Sequence, residues 1–406
     1  MIKFISSDVK RNGKTQLIEP IEITINGEER KVFNMFINKV MDVENLIVLA
    51  GSGTSLTFNK ENEERVAPSM WDLWEACRKS NIDLFKNILG IIEYDKAQVV
   101  RNVDGSAKQD IELLLSLCDS NLSIGRLTPD DLANVSAFMR GAKKVILEET
   151  SFTDKVDMDS WSSHNKFINI LGRRSIKQNR LKLFTTNYDV AFEHAASNIG
   201  FIIIDGFDYS NPSRFNPMWF QYDIVHRGNS NDKAVSFLPN IMHLYKIHGS
   251  IDWKVIDGYI QKSTDSNKEP VFIYPSSTKY QSSYNSPYLE MMSSFLSVVQ
   301  KPKTAIIVVG FGFNDKHINN AITMALRTNP EFMLMVATKD PFSEKSNFNK
   351  NMKDLFIKSI NNGDSRIAMV DSTFSDFVNH LPERRNISPE EEILKAFSVI
   401  SSTMNK

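Results

Sequence analysis

Residues 46–55 read LIVLAGSGTS, and the fold is decided by how this stretch is read. Four aliphatic residues and Ala50 run straight into Gly51-Ser52-Gly53. An unbroken apolar run of this length suits a strand buried on both faces, as in the middle of a parallel sheet. Glycines at its carboxyl end let the backbone turn tightly and let a ligand approach without a Cβ in the way. A phosphate needs small residues with free N–H groups, so Gly51, Ser52, Gly53, Thr54 and Ser55 form a first candidate binding loop. An ordinary tight turn after a core strand would read the same way.

Three further apolar segments stop at polar or glycine residues. Leu183-Phe184 runs into Thr185-Thr186-Asn187-Tyr188-Asp189, and Tyr245-Lys246-Ile247 into His248-Gly249-Ser250. Ile307-Val308-Val309 opens into Gly310-Phe311-Gly312-Phe313-Asn314-Asp315. In a parallel sheet all these ends leave on one edge, where ligands bind. Each has a plain structural explanation too: Asn187 or Asp189 capping a helix, His248 bonded within a turn, the glycines chosen for turn geometry. Four such ends on one edge are harder to explain that way. His194, His243 and His317 have no comparable setting and read as structural, and Trp71 and Trp74 read as core.

Strands are predicted at 181–184, 201–204, 244–247, 271–274, 305–309, 332–336 and 367–370, with helices between several of them at 189–199, 286–300 and 316–327. This alternation predicts an α/β, Rossmann-like, doubly wound and mainly parallel sheet. Residues 228–233 and 263–268 read as polar loops. Residues 1–40 read as a small β-rich extension, with a hairpin formed by 21–25, the Asn26-Gly27 turn and 30–33. Residues 68–178 show no strand pattern and read as a helical insertion. Ser69 is placed to cap its first helix with Asp72 at the third position, and further helices are expected at 110–118, 132–149 and 154–171. The expected organisation is an extension at 1–40, a Rossmann domain at 41–67 and 179–385, the insertion at 68–178, and a helical tail at 386–406.

The chain has 406 residues, 41% hydrophobic and 24% charged, with net charge −1. Such a balance gives no overall attraction to nucleic acid or to an anionic membrane, although 48 basic residues leave a local patch, and so direct nucleic-acid binding, open. The two cysteines, Cys77 and Cys118, cannot build a four-thiolate zinc site and read as buried thiols of a reducing compartment. No run approaches the ~18 apolar residues of a membrane span, and no leader is read at the N-terminus, so the expected location is the cytoplasm.

The ordered set of glycine loop, TNYD segment, isolated His248-Gly249 and later GFGFND loop resembles the sirtuin family. The family's G-A-G-x-S loop matches Gly51-Ser52-Gly53-Thr54-Ser55, with Ser52 in place of Ala. Its asparagine matches Asn187 and its catalytic histidine matches His248. Gly310–Asp315, together with Tyr274-Pro275, Tyr284, Pro287-Tyr288 and Met291-Met292, resembles the bacterial sirtuin-like branch. Two departures bear on activity: the four-cysteine zinc module of protein deacylases is missing, and so is their P-D-F-R run, whose place is taken by 68–74.

The resemblance implies an NAD-consuming protein of the antiphage-defence type, similar to the sirtuin-like partner of a HerA-type hexameric ATPase. It implies NAD as substrate, no zinc, a homo-oligomer and no membrane. In the implied reaction water cleaves the nicotinamide–ribose bond through a transition state of oxocarbenium character. Asn187 would orient water or ribose, and His248, the well-placed group titrating near neutrality, would be the general base. Asp189 would orient this pair or only cap its helix. Gly51–Ser55 would hold the pyrophosphate, and Gly310, Phe311, Gly312 and Asn314 would close over the adenosine ribose. The rivals are a deacylase or ADP-ribosyltransferase, a nuclease acting with an ATPase, and a silent NAD or ADP-ribose sensor. Oligomerisation is expected through the N-terminal extension and the insertion, with a partner or phage cue opening the site.

Overall fold

The apolar run at 46–50 forms β3 (Asn45–Ala50), and every one of its residues is buried. The computed structural model describes residues 2–9, 17–62, 64–97, 107–175, 178–227, 235–265, 268–272, 286–344 and 346–382. β4 (Leu181–Thr185), β8 (Ile241–Lys246) and β5 (Ile202–Ile204) extend the sheet on one side of β3. β12 (Thr304–Val309), β13 (Met333–Thr338) and β14 (Ile367–Asp371) extend it on the other. These seven strands are all parallel. The expected α/β architecture, a mainly parallel Rossmann-like sheet with helices on both faces, is therefore present. The chain fills one side of β3 first and then crosses to β12 on the other, so the order reverses at β3.

The N-terminal residues differ from expectation. β1 (Ile2–Ser6) pairs antiparallel with β14, and β2 (Ile21–Ile23) pairs antiparallel with β1, so both lie in the main sheet and complete its nine strands. Residues 30–33 do not form a second hairpin strand; they open α1 (Arg30–Met41), which buries Phe33, Phe36, Ile37, Val40 and Met41. Apolar residues spaced three and four apart favour the helix over the strand there. Phe4 meets Phe33 edge-on with centroids 5.5 Å apart, which ties β1 to α1 inside the core.

The stretch after the glycine loop folds into α2 (Met70–Ser80), α3 (Ile82–Ile91), the single turn α4 (Tyr94–Ala97), α5 (Ile111–Ile124) and α6 (Pro129–Thr150), with no strand among the described residues. Ser69 and Asp72 form the expected capping box at the start of α2. Trp74, Cys77, Phe85, Leu114, Cys118 and Phe138 belong to a second core separate from that of the sheet. Trp74 is buried as expected, but Trp71 is 51% exposed. Burial pushes both thiols up to about 12. The second core also takes in Tyr188 and Ile251, which come from the segments after β4 and β8.

Residues 154–171 are not one helix. Two short turns, Thr153–Lys155 and Met158–Ser160, precede α7 (Trp161–Gly172), whose Trp161, Phe167, Ile168 and Leu171 pack in the core of the sheet. α8 (Ala191–Asn198), α9 (Tyr288–Val299), α10 (Lys316–Thr328), α11 (Lys350–Asn361) and α12 (Phe374–His380) complete the helices. The strand expected at 271–274 is Val271-Phe272 of β11 (Pro270–Phe272), which lies outside the main sheet. β11 flanks β9 (Gly249–Ile256) opposite β10 (Tyr259–Lys262) in a small antiparallel sheet. β6 (Val225–Arg227) and β7 (Val235–Phe237) pair as a ribbon. The loop at 228–233, Tyr274, Pro275, Tyr284 and the tail at 386–406 lie outside the described residues. No helix among the described residues is long and apolar enough to cross a membrane.

Candidate active site

The parallel register brings the four expected strand ends into one row. Val309 is level with Ala50, Ala50 with Thr185, and Thr185 with Lys246. Beyond this row the chain opens at Gly310, Gly51, Thr186 and Ile247, so Asn187 and His248 each lie two residues past paired neighbours on adjacent strands. The row straddles the point where the strand order reverses, the general ligand position in open parallel sheets.

The two glycine loops meet backbone to backbone. The Gly53 N–H donates to the Gly310 carbonyl at 2.9 Å, and the Gly51 N–H to the Val309 carbonyl at 3.0 Å. A Cβ on Gly53 would come within 2.7 Å of the Gly310 Cα, and one on Gly51 within 2.7 Å of the Gly310 oxygen. Gly310 has φ +60°, and its own Cβ would come within 2.6 Å of the Thr54 nitrogen. The Thr54 N–H donates to the Gly51 carbonyl at 3.0 Å. Three of the N–H groups expected to face a pyrophosphate are thus bonded within the protein. Ser52 is the exposed residue of the loop; Thr54 and Ser55 are buried.

Asn187 is held by that loop. Its Nδ2 lies 3.1 Å from the Gly51 oxygen, 3.1 Å from Thr54 Oγ1 and 3.0 Å from Ser55 Oγ. The carbonyl can only accept. Both hydroxyls spend their protons elsewhere, Thr54 on the Gly51 oxygen at 2.9 Å and Ser55 on Asp189 Oδ2 at 2.7 Å. The surroundings therefore fix the amide, with nitrogen inward and Oδ1 outward. Oδ1 accepts no hydrogen bond from the described residues and keeps contact with solvent. Asp189 Oδ2 accepts the Ser55 hydroxyl, one of the acceptors around Asn187, and its Oδ1 accepts the Ala191 N–H at 3.0 Å where α8 begins; no hydrogen bond links it to His248.

Buried Lys246 holds the turn from below. Its Nζ donates to the Asp189 carbonyl, to the Tyr188 carbonyl at 3.4 Å and to Glu193 Oε1 at 3.0 Å. The Ile251 N–H reaches the same Tyr188 carbonyl at 3.0 Å. These donors give the TNYD turn a single backbone path.

His248 is 3% exposed and stands between two carboxylates. Nε2 lies 3.2 Å from Asp315 Oδ2, and Nδ1 lies 3.6 Å from Glu112 Oε1. The second separation is an ion-pair distance, too long for a hydrogen bond, and Nδ1 is buried with no hydrogen-bond partner. Asp315 is itself fixed, since its Oδ1 caps α10 through the N–H groups of His317 and Ile318. Glu112 Oε1 accepts the Tyr188 hydroxyl at 3.2 Å. Burial alone would drive His248 neutral; the Asp315 hydrogen bond and the two negative charges outweigh it and raise the imidazole to about 9. Burial acts against the Asp315 carboxylate, yet contact with His248 and the two capping N–H groups holds it below the usual range. The two carboxylates therefore favour the charged imidazole over the neutral one. To act as the expected general base, a charged His248 would first have to release its proton.

Next to His248, Gly249 has φ +83° and a Cβ position only 2.1 Å from the Val271 oxygen, so only glycine turns the chain from β8 into β9 there. Phe311 is buried against Phe313, with centroids 5.2 Å apart. Gly312 lies beside Asn314, whose exposed Nδ2 is 3.4 Å from the Asn347 oxygen. Neither Phe311 nor Asn314 bonds the Asn187 or His248 side chain. Among the described residues no group of three or more His, Cys, Asp or Glu is arranged to hold a metal.

Sequence reasoning missed Asp315, Glu112 and Lys246. Asp315 was legible as the residue before the helix at 316–327, an N-cap position. Lys246 sits in an apolar strand, where a lysine signals a buried partner. Nothing local marks Glu112, which reaches His248 from a distant helix.

Residues 181–360 match the family model described as a SIR2-like domain. This span carries Asn187, His248 and Gly310–Asn314 but not residues 46–55. A SIR2-like domain implies an NAD-related function. No curated protein matches the chain. Among solved structures, the chain aligns with a crystal structure of cytosolic 5'-nucleotidase IIIB bound to cytidine at 8% identity, covering 90% of this chain and 92% of that one, with a TM-score of 0.30. A likeness that low carries no argument about function.

Proposed function

We propose that this protein hydrolyses NAD to ADP-ribose and nicotinamide as part of a bacterial antiphage defence system in the cytoplasm. The observation that carries the reading is the Asn187 amide. Three acceptors pin its nitrogen, and its oxygen is left to accept a proton-bearing group, either a water or a ribose hydroxyl, past the end of β4. Preorganisation of this kind lowers a barrier without a titrating group. Asp189, acting through Ser55, and Lys246, acting through the Tyr188 and Asp189 carbonyls, keep the amide in place. His248 supplies the base once it has released its proton; as a cation it binds Asp315 instead.

The purified protein is expected to release equal amounts of ADP-ribose and nicotinamide from NAD, resolved by chromatography, and Asn187→Ala to abolish release. NAD left intact at every pH, alone and with the co-expressed partner, would refute the reading. One observation favours a second reading, a silent NAD or ADP-ribose sensor: carboxylates 3.2 and 3.6 Å from His248 favour its charged form over the neutral base. Calorimetry showing NAD bound but never consumed would establish the sensor.

The proposal extends to assembly as a homo-oligomer with a HerA-type hexameric ATPase. The candidate contact surfaces are the N-terminal segment, whose β2 is an edge strand of the sheet, and the helical insertion. The insertion exposes Trp71, Ile82, Ile124 and Leu132 at 45–60%. Light scattering that returned a monomer with and without the ATPase would remove this part.

A further inference from the structure

Among the described residues, Glu112 is the acidic residue of the helical insertion that acts on His248, and it acts on the nitrogen that has no hydrogen bond. It sits on α5, whose Leu114, Leu115 and Cys118 face the second core, so its position depends on the docking of the whole insertion. Tyr188 is the hinge of that docking. Its ring packs with the second core and lies 4.6 Å from the Phe272 ring, its hydroxyl bonds Glu112, and its carbonyl takes Lys246 beneath Asn187. The other charged group acting on His248 is Asp315, whose position is fixed by the start of α10 and which has Tyr288 of α9 nearby. Asp315 is thus placed by the sheet and α10, whereas Glu112 is placed by the insertion.

We propose that Glu112 is a positioning residue that sets the charge of His248, so that the docked insertion holds the histidine cationic and withdrawal of α5 frees it to lose its proton to solvent. The effect on turnover rests on the NAD-hydrolase reading; the effect on the histidine does not. With the imidazole raised well above neutrality, the neutral form of His248 is the minority at pH 7. Each unit by which the midpoint falls multiplies that fraction about tenfold until the two forms are equal.

The test is a pH titration by NMR of the full chain labelled at histidine Cε1, with the His248 signal assigned by its loss in His248→Gln. Glu112→Gln keeps the shape and the acceptor for Tyr188 but removes the charge. The His248 midpoint is expected to fall by about one unit or more, and NAD turnover at pH 7 to rise about tenfold, its pH profile shifting down by the same amount. Tyr188→Phe, which frees Glu112 but keeps the ring, is expected to lower the midpoint by less and serves if Glu112→Gln fails to fold. An unchanged midpoint in the folded variant would overturn the proposal. A lowered midpoint with no change in the pH profile would uphold Glu112 as the charge-setting residue and remove His248 as the base of the hydrolase.

Discussion

The row of strand ends has two unlike halves. The β3–β12 half is sewn together by backbone: the Gly53 N–H meets the Gly310 carbonyl, the Gly51 N–H meets the end of β12 at Val309, and no Cβ fits at Gly51, Gly53 or Gly310. The β4–β8 half is built from side chains and charge: Asn187 on its hydroxyls, Lys246 beneath the turn, and His248 between Asp315 and Glu112. The contact between the two loops of the backbone half involves no titrating side chain, although Ser55 ties the first loop to Asp189 and Asn187 ties it to β4. The side-chain half responds to pH and to the rest of the molecule, because one of its charges is lent by the helical insertion. A site can thus keep a rigid ligand platform and a conditional chemical group on neighbouring strands.

The largest effect should come from the side-chain half. Asn187→Ala is expected to cut NAD turnover by about 10²–10⁴-fold, in the range of a lost preorganised polar group or acid–base group, with KM changing far less than kcat. Turnover within twofold of wild type would remove Asn187 from the chemistry. The backbone half should fail through stability. Gly310→Ala adds a methyl against the Thr54 nitrogen and the Gly53 carbonyl carbon at φ +60°, and should cost about 3 kcal/mol in denaturant unfolding. An undiminished unfolding midpoint would show that the two loops part easily.

pH separates the halves. The folded His248 is raised above its ordinary 6.5, so the stability it contributes is complete below about 6.5 and is lost as pH rises through about 9. A loss of roughly 2–3 kcal/mol between pH 7 and pH 10 is expected in wild type and should be absent from the pH dependence of His248→Gln. That variant leaves the buried Asp315 without its partner, so it should start less stable at pH 7. Identical pH profiles for the two proteins would mean that His248 is not charged in the folded state.

The smallest effect probes the lender. Ser69→Ala removes the capping box of α2, outside both halves, and should cost about 1 kcal/mol. If the insertion melts ahead of the sheet, that loss will show in a first thermal transition and leave the second in place.

Much of this architecture was legible because it depends on local chemistry. Apolar runs ending in glycine or polar residues located β3, β4, β8 and β12, and parallel pairing then required their ends to share an edge. Ser69 and Asp72 announced their capping box, and Asp315 could have been read as the cap of α10. Of the N-terminal strands only β2 was read as one, within 21–25; β1 was not, and nothing in 2–23 says that it pairs with β14, since pairing partners are chosen by the whole sheet. Residues 30–33 were misread because a turn signal at Asn26-Gly27 outweighed the helical spacing that follows it.

What the chain determined by itself is therefore the parallel sheet, the four strand ends and the residues Asn187 and His248 placed on them, because strand period, turn chemistry and register are short-range properties. Only the tertiary structure decided the orientation of the Asn187 amide, the mutual closure of the two glycine loops and the charge on His248. Each depends on groups far apart in sequence, Thr54 and Ser55 for the amide, Gly53 and Gly310 for the loops, Glu112 and Asp315 for the histidine. The reason is physical: a hydrogen-bond acceptor, a missing Cβ or a carboxylate acts over a few ångströms of space, and no local pattern in the chain encodes that distance.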